Sequence, residues 1–135
     1  MKNEEHEKHP TARMLLGKRG EDIACRFLEG LGHRIAARNY RYGHLEIDII
    51  SEDALGVHFV EVKSRMAPVA AEPEENVTRQ KQKKITRAAL RFLHTAGSRW
   101  TKGGSEIFFD VVAVTFDGGE EKVEWFPNAY IPLYT

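Results

Sequence analysis

Apolar residues recur at helical spacing from Ala12 to Leu31, where Leu16, Ile23, Ala24, Phe27, Leu28 and Leu31 follow a period near 3.6. Gly17 and Gly20 weaken the first turns, so the firm part of this helix is expected from about Gly20, with Gly32 as its stop. The period then falls to two. Arg34 to Tyr40 reads as a short strand and Arg41 to His44 as a loop. Leu45 to Ser51 and Val57 to Lys63 alternate as a hairpin around the turn residues 52–56. Alternation places Leu45, Ile47 and Ile49 on one face of the first strand and Glu46, Asp48 and Ile50 on the other. On the second strand, Val57, Phe59, Glu61 and Lys63 share a face. Ser64 to Asn76, with Pro68 and Pro73, reads as an exposed loop. A second helix is expected from about Thr78, its N-cap candidate, to Ala96, burying Ile85, Ala88, Ala89, Phe92 and Leu93. Glu106 to Phe116 is the most apolar segment and reads as a central strand. Asp117-Gly118-Gly119 makes a turn, Lys122 to Phe126 an outer strand, and Tyr130, Ile131 and Leu133 dock the end of the chain. The order α, β, β, β, α, β, β predicts an α/β fold with a central mixed β-sheet flanked by α-helices.

Length and composition narrow this picture. A chain of 135 residues, 41% hydrophobic and 30% charged, is expected to form one domain over residues 12–135 behind a flexible tail, residues 1–11. His6 and His9 on that tail read as solvated side chains. No apolar run approaches the ~18 residues needed to span a bilayer, and the polar start is no signal peptide, so no membrane partner is expected. The single cysteine, Cys25, cannot form an internal disulfide, which fits a cytoplasmic location, and its apolar neighbours mark it as a core or boundary residue. Lys+Arg and Asp+Glu number 20 each, which argues against nucleic-acid binding by net charge alone. The charges are nevertheless segregated. Lys81, Lys84, Arg87 and Arg91 recur at three- and four-residue spacing and form a ridge on the second helix. Such a ridge serves either as a phosphate contact or as a solvated helix face.

The hairpin carries the candidate chemistry. Asp48 lies on its first strand, and Glu61 and Lys63 share a face of its second, among residues that read as buried on both sides. Buried charge needs a partner or a chemical role. Asp48 and Glu61, with the Val62 carbonyl, are hard oxygen donors of the type Mg²⁺ or Mn²⁺ takes, and Lys63 could orient an attacking water or stabilise a phosphoryl transition state. A surface ion pair between Glu61 or Asp48 and Lys63 explains the same residues without chemistry.

Several runs also resemble a known family. Gly20-Glu21-Asp22-Ile23-Ala24, Asn39-Tyr40-Arg41, Glu46-Ile47-Asp48-Ile49-Ile50 and Phe59-Val60-Glu61-Val62-Lys63-Ser64-Arg65 are similar to the YraN-like family of small bacterial proteins. Lys81-Gln82, Arg87-Ala88-Ala89, Phe109-Asp110-Val111-Val112 and Asn128-Ala129-Tyr130 extend the likeness in order from about Arg13 to Ile131. That family is similar to the PD-(D/E)XK nucleases and Holliday-junction resolvases. The resemblance implies a restriction-endonuclease-like fold and a Mg²⁺-dependent endonuclease that hydrolyses DNA phosphodiester bonds, on branched or damaged DNA. It matches Asp48, Glu61 and Lys63 to the catalytic triad, Glu21 to a helical acid that completes the metal site, and Gln82 to a supporting polar residue. One position departs: Leu45 stands directly before Glu-Ile-Asp where the family usually has glycine, and the glycine here is Gly43. A resolvase-like enzyme needs two active sites and so implies a homodimer. Two other readings stay open, a non-catalytic nucleic-acid-binding module of the same fold and an interaction protein whose acids and lysine form only an ion network.

Overall fold

The computed structural model describes residues 11–69, 77–95 and 106–130. The expectations for the tail with His6 and His9, for the 70–76 part of the loop, for Ala96 as the helix end and for Ile131 and Leu133 fall outside the described residues. The chain runs α1 (Ala12–Gly30), β1 (Arg34–Tyr42), β2 (Leu45–Glu52), β3 (Gly56–Met66), α2 (Arg79–Thr95), β4 (Glu106–Asp117) and β5 (Glu120–Phe126). The five strands form one sheet in the order β1-β2-β3-β4-β5. Every neighbouring pair is antiparallel except β3 and β4, which run parallel with α2 between them in the chain. The α/β class, the mixed sheet and the element order are those that the patterning predicts.

The sheet buries both faces, which is why β4 is largely apolar. On one face, Ile23, Ala24, Cys25 and Leu28 of α1 pack on Ile49, Val60, Val112 and Val114. On the other, Ile85, Ala88, Ala89, Phe92 and Leu93 of α2 pack on Ile47, Ile50, Val57, Phe59 and Val111. Cys25 is a buried member of the α1 layer, and burial pushes its thiol pKa up, as suits an inert packing residue.

Four local expectations need correction. The first helix is continuous from Ala12: Thr11 Oγ1 accepts the Met14 amide at 3.1 Å and caps it. Gly20 is a buried contact point, where an added Cβ would fall 1.8 Å from Ser64 Oγ and 2.9 Å from Ser64 Cβ. The missing side chain lets α1 lie directly on β3. Second, β1 continues through Arg41 to Tyr42, and the loop shrinks to Gly43 and His44, with Gly43 at φ 64° as a two-residue hairpin turn requires. Third, β3 runs three residues past Lys63, because parallel pairing with β4 continues to Met66 opposite Phe116.

The fourth correction concerns the faces of β2. Ile47 and Ile50 face the α2 layer, while Ile49 faces the α1 layer. Strict alternation would put Ile47 and Ile49 together. The sequence of faces slips across Asp48, and Asn39, in the same stretch of β1, has φ 51°. The paired register of β2 with β3 runs from Glu52–Val57 to Ile49–Val60 and stops there. Asp48 therefore sits where the regular ladder ends.

Candidate active site

Asp48 takes over where the backbone ladder stops. Its Oδ2 accepts the Val62 amide hydrogen at 2.8 Å, so the carboxylate replaces a strand carbonyl as the partner of β3. Glu61, one residue before Val62, is 5% exposed. Lys63 Nζ lies 3.8 Å from Glu61 Oε2, and Lys81 Nζ, reaching over from the first turns of α2, lies 2.5 Å from the same oxygen. The helix is aimed by its cap: Thr78 Oγ1 accepts the Lys81 amide at 3.1 Å.

Two adjoining cavities share Asp48, Glu61 and Lys81. One of about 310 Å³ is also lined by Glu21, Val62, Lys63, Arg13 and Ser64. The other, of about 280 Å³, is lined by His44, Glu46, Thr78, Gln80, Lys84 and Ile85. Glu21 reaches the first cavity because Gly20 seats α1 against Ser64, the residue after Lys63. It also stands 3.6 Å from the Arg38 guanidinium, which is held mainly by Asp22 at 2.8 Å.

Charge is crowded here. Burial pushes the Asp48 pKa up from 3.8 to about 8, and the negative charges of Glu61 and Glu21 add to it, against the Val62 hydrogen bond and the Lys81 charge. Burial works against the Lys81 ammonium, but the Glu61 carboxylate outweighs it and holds the Lys81 pKa above its usual value. Behind the site, Tyr130 Oη is buried with no hydrogen-bond partner among the described residues. Burial first, then the Glu61 charge, pushes its pKa up.

The sequence-predicted residues separate into three groups. Asp48, Glu61, Val62, Lys63 and Glu21 line one cavity. Gln82 lines neither cavity; its Nε2 donates to the Val77 carbonyl at 2.9 Å, so it fastens the start of α2, and Lys81 is the α2 side chain that reaches the acids. Of the basic ridge, Lys81 is engaged by Glu61, Lys84 lines the second cavity, and Arg91 stacks its guanidinium 4.7 Å over the Tyr42 ring, while Arg87 is exposed. Sequence reasoning missed the Lys81–Glu61 pair, since helical spacing alone does not reveal which residue of a ridge leans onto the sheet.

A second polar cluster lies at the turn end of the same hairpin. His33, Asp53 and His58 each bring one ligand atom within 4.8 Å of the others, the only such group of three His, Cys, Asp or Glu residues among the described residues. Glu21, Asp48 and Glu61 are not gathered that closely. His58 Nδ1 meets Asp110 Oδ2 at 2.7 Å, and Asp110 also accepts from Trp125 Nε1 and the Asn128 amide at 3.1 and 2.8 Å. Patterning assigns Asp110 only to an apolar strand. Its burial inside Phe109-Asp110-Val111 was the available signal.

These features define a class: a mixed five-stranded α/β domain whose β2–β3 pairing ends beside a half-buried Asp48 and a buried Glu61. The chain belongs to the uncharacterised protein family UPF0102, whose model matches residues 20–114, and this agrees with the YraN-like resemblance. It is 42% identical over 118 residues to a UPF0102 protein of Desulfosudis oleivorans, covering 87% of this chain and 91% of that protein. It is 46% identical over 99 residues to a UPF0102 protein of Chlorobaculum tepidum, covering 73% and 74%. A UPF0102 protein of Geobacter metallireducens is 38% identical over 119 residues, covering 88% and 94%. No helix among the described residues is long and apolar enough to cross a membrane.

Proposed function

We propose that this protein is a metal-dependent endonuclease of restriction-endonuclease-like fold that hydrolyses phosphodiester bonds in DNA, with branched or damaged DNA as the preferred substrate. One observation carries the reading: Asp48, Glu61, Lys63 and Glu21, from two strands and a helix, line a single open cavity at the point where the β2–β3 ladder ends.

The donor set fits a hard divalent cation. Asp48 and Glu61 offer carboxylate oxygens with little competing hydrogen bonding: among the described residues, Asp48 accepts from Val62 alone and Glu61 is paired only with ammonium groups. The raised Asp48 pKa marks a negative charge that the fold leaves undercompensated. Asp48, Glu61 and the Val62 carbonyl would hold Mg²⁺ or Mn²⁺, with Glu21 beside them. Such an ion lowers the pKa of bound water and neutralises charge that develops on phosphate. Lys63, tethered only loosely to Glu61, is free to donate to a phosphate oxygen or an attacking water. Lys84, Arg87 and Arg91 continue from the cavity along α2 and suit the flanking backbone phosphates. Lys81 is 44% exposed on its long stem, so it can leave Glu61 for a phosphate when a metal arrives.

The same lysine favours a second reading, a nucleic-acid-binding module without catalysis, because it already neutralises Glu61. Cleavage of linear, flapped and four-way DNA in Mg²⁺ or Mn²⁺ separates the two. Metal-dependent cleavage is expected from the wild type, reduced at least about a hundredfold in Lys63→Ala. Equal cleavage by both proteins would assign the activity to a contaminant. Binding without cleavage on every substrate would leave the module. Mg²⁺ or Mn²⁺ should also raise the melting temperature of the wild type and not of Asp48→Ala.

A further inference from the structure

The His33–Asp53–His58 cluster stands apart from the acid cavity. His58 lies three residues from Glu61 along β3, about 10 Å of strand. Its members come from three segments: His33 from the α1–β1 connection, Asp53 from the β2–β3 turn, and His58 from β3. Both imidazoles are deeply buried, with side chains 1% and 3% exposed, while Asp53 is 21% exposed and forms the mouth toward solvent.

The two ring nitrogens nearest Asp53 are both Nε2. His58 Nε2 lies 3.0 Å from Asp53 Oδ1, and His33 Nε2 lies 3.4 Å from Asp53 Oδ2. In a tetrahedral zinc site with bonds of about 2.0–2.1 Å, neighbouring ligand atoms stand about 3.3 Å apart. The two nitrogen–carboxylate distances match such ligand edges, and one ligand atom from each of the three residues lies within 4.8 Å of the others.

The other side of each ring is already organised. His58 Nδ1 faces Asp110 Oδ2 at 2.7 Å, and because an ionised carboxylate only accepts, Nδ1 carries a proton, which leaves Nε2 as the nitrogen for a metal. His33 Nδ1 faces Ser51 Oγ at 2.9 Å, which can accept its proton in the same way. A carboxylate or hydroxyl behind each histidine is the outer support that metal-ligating imidazoles characteristically have. Asp53 is held by its own turn, where Oδ1 accepts the Leu55 and Gly56 amides at 3.1 and 3.3 Å, leaving Oδ2 the freer oxygen.

We propose that His33 Nε2, His58 Nε2 and an Asp53 carboxylate oxygen form a binding site for a borderline transition-metal dication such as Zn²⁺, with water in the fourth position. Two imidazoles and a carboxylate suit Zn²⁺ and disfavour Mg²⁺, which prefers an all-oxygen octahedron. The ion would tie the start of β1, the hairpin turn and β3 together. Burial works against charge on His58, but hydrogen bonds to Asp110 and Asp53 outweigh it and raise its pKa, so a metal here competes with a proton. Burial and the neighbouring His58 charge lower the His33 pKa, which favours the neutral ring a metal needs.

The test uses the full chain, stripped with chelator and titrated with Zn²⁺ alone or Co²⁺ alone. One equivalent of Zn²⁺ should bind and raise the melting temperature by several degrees, and Co²⁺ should give the intense visible bands of a four-coordinate ion. Asp53→Asn should weaken Zn²⁺ binding at least tenfold, and Ser51→Ala, which leaves the ligands in place, tenfold or somewhat more. Asp48→Asn should bind Zn²⁺ as the wild type does, so failure here and failure of the nuclease reading are separable. No stoichiometric Zn²⁺ in the wild type, a six-coordinate Co²⁺ spectrum, or loss of binding in Asp48→Asn would each overturn the site. If Asp53→Asn does not fold, the Co²⁺ spectrum of the wild type and the Ser51→Ala titration decide alone.

Discussion

The β2–β3 hairpin buries polar clusters at both ends, and they are built in opposite ways. At the turn end, Asp53, His58 and Asp110 meet partners on nearly every side, and Asp110 alone takes hydrogen bonds from an imidazole, an indole and a backbone amide. At the open end, Asp48 has one backbone donor, and Glu61 leans on two lysines from different elements. Both ends contain acids that an apolar core should reject. Compensation at the turn end comes from rigid groups close by. Compensation at the open end comes from long, half-exposed ammonium stems that a ligand can displace. The difference separates charge compensated by rigid groups of the fold from charge compensated by stems that a ligand can displace.

Removing the central carboxylate of the turn end breaks the comparison most severely. Asp110→Ala leaves His58, Trp125 and the Asn128 amide without their acceptor and should cost on the order of 3–5 kcal/mol, lowering the melting temperature by about 10 °C or more. Lys63→Ala at the open end should change stability by no more than about 0.5 kcal/mol. Similar losses in both would erase the distinction.

Gly20 tests whether the open end depends on close helix–strand contact. Gly20→Ala forces a methyl group into Ser64 and should cost about 1–3 kcal/mol in thermal or urea melts. Gly20→Ala with Ser64→Gly should recover part of that loss. No loss in the single variant would show that α1 can shift without consequence, and with it Glu21.

Asp48 probes the undercompensated charge itself. Its folded pKa, near 8, stands above the unfolded value near 3.8, so the fold favours the protonated acid. The resulting stability is full below about pH 4 and is lost as pH rises toward 8. In buffer free of divalent ions, Asp48→Asn should match the wild type near pH 4 and exceed it by on the order of 2 kcal/mol at pH 8 to 9. An Asp48→Asn protein less stable than the wild type at pH 8 would mean that the carboxylate is already compensated.

Tyr130 offers the smallest and sharpest effect. Its hydroxyl is buried without a partner among the described residues, so Tyr130→Phe should leave stability unchanged or raise it by up to about 1 kcal/mol. A clear loss of stability would reveal a partner for the hydroxyl and tighter compensation behind Glu61.

Much of the molecule is written in local pattern. The 3.6-residue period marks both helices, Thr78 marks the start of α2, and the largely apolar run of β4 marks a strand buried on two faces. Asp48, Glu61 and Lys63 stand out because charges interrupt strands otherwise apolar, and residues two apart on a strand share a face. Three features depend on contacts between distant segments and have no local signature. The slip of faces at Asp48 falls where pairing with β3 ends while pairing with β1 continues. Lys81 leaves its basic ridge because the capped start of α2 happens to stand over Glu61. His33, Asp53, His58 and Asp110 each read as an ordinary loop or strand residue, and only sheet closure brings them together. The sequence by itself determined which segments become helix or strand and which charged residues the core must accommodate, since propensity and periodicity act over a few neighbouring residues. Which of those charges are saturated and which are left open was decided by tertiary structure, because that balance is set by groups tens of residues away in the chain.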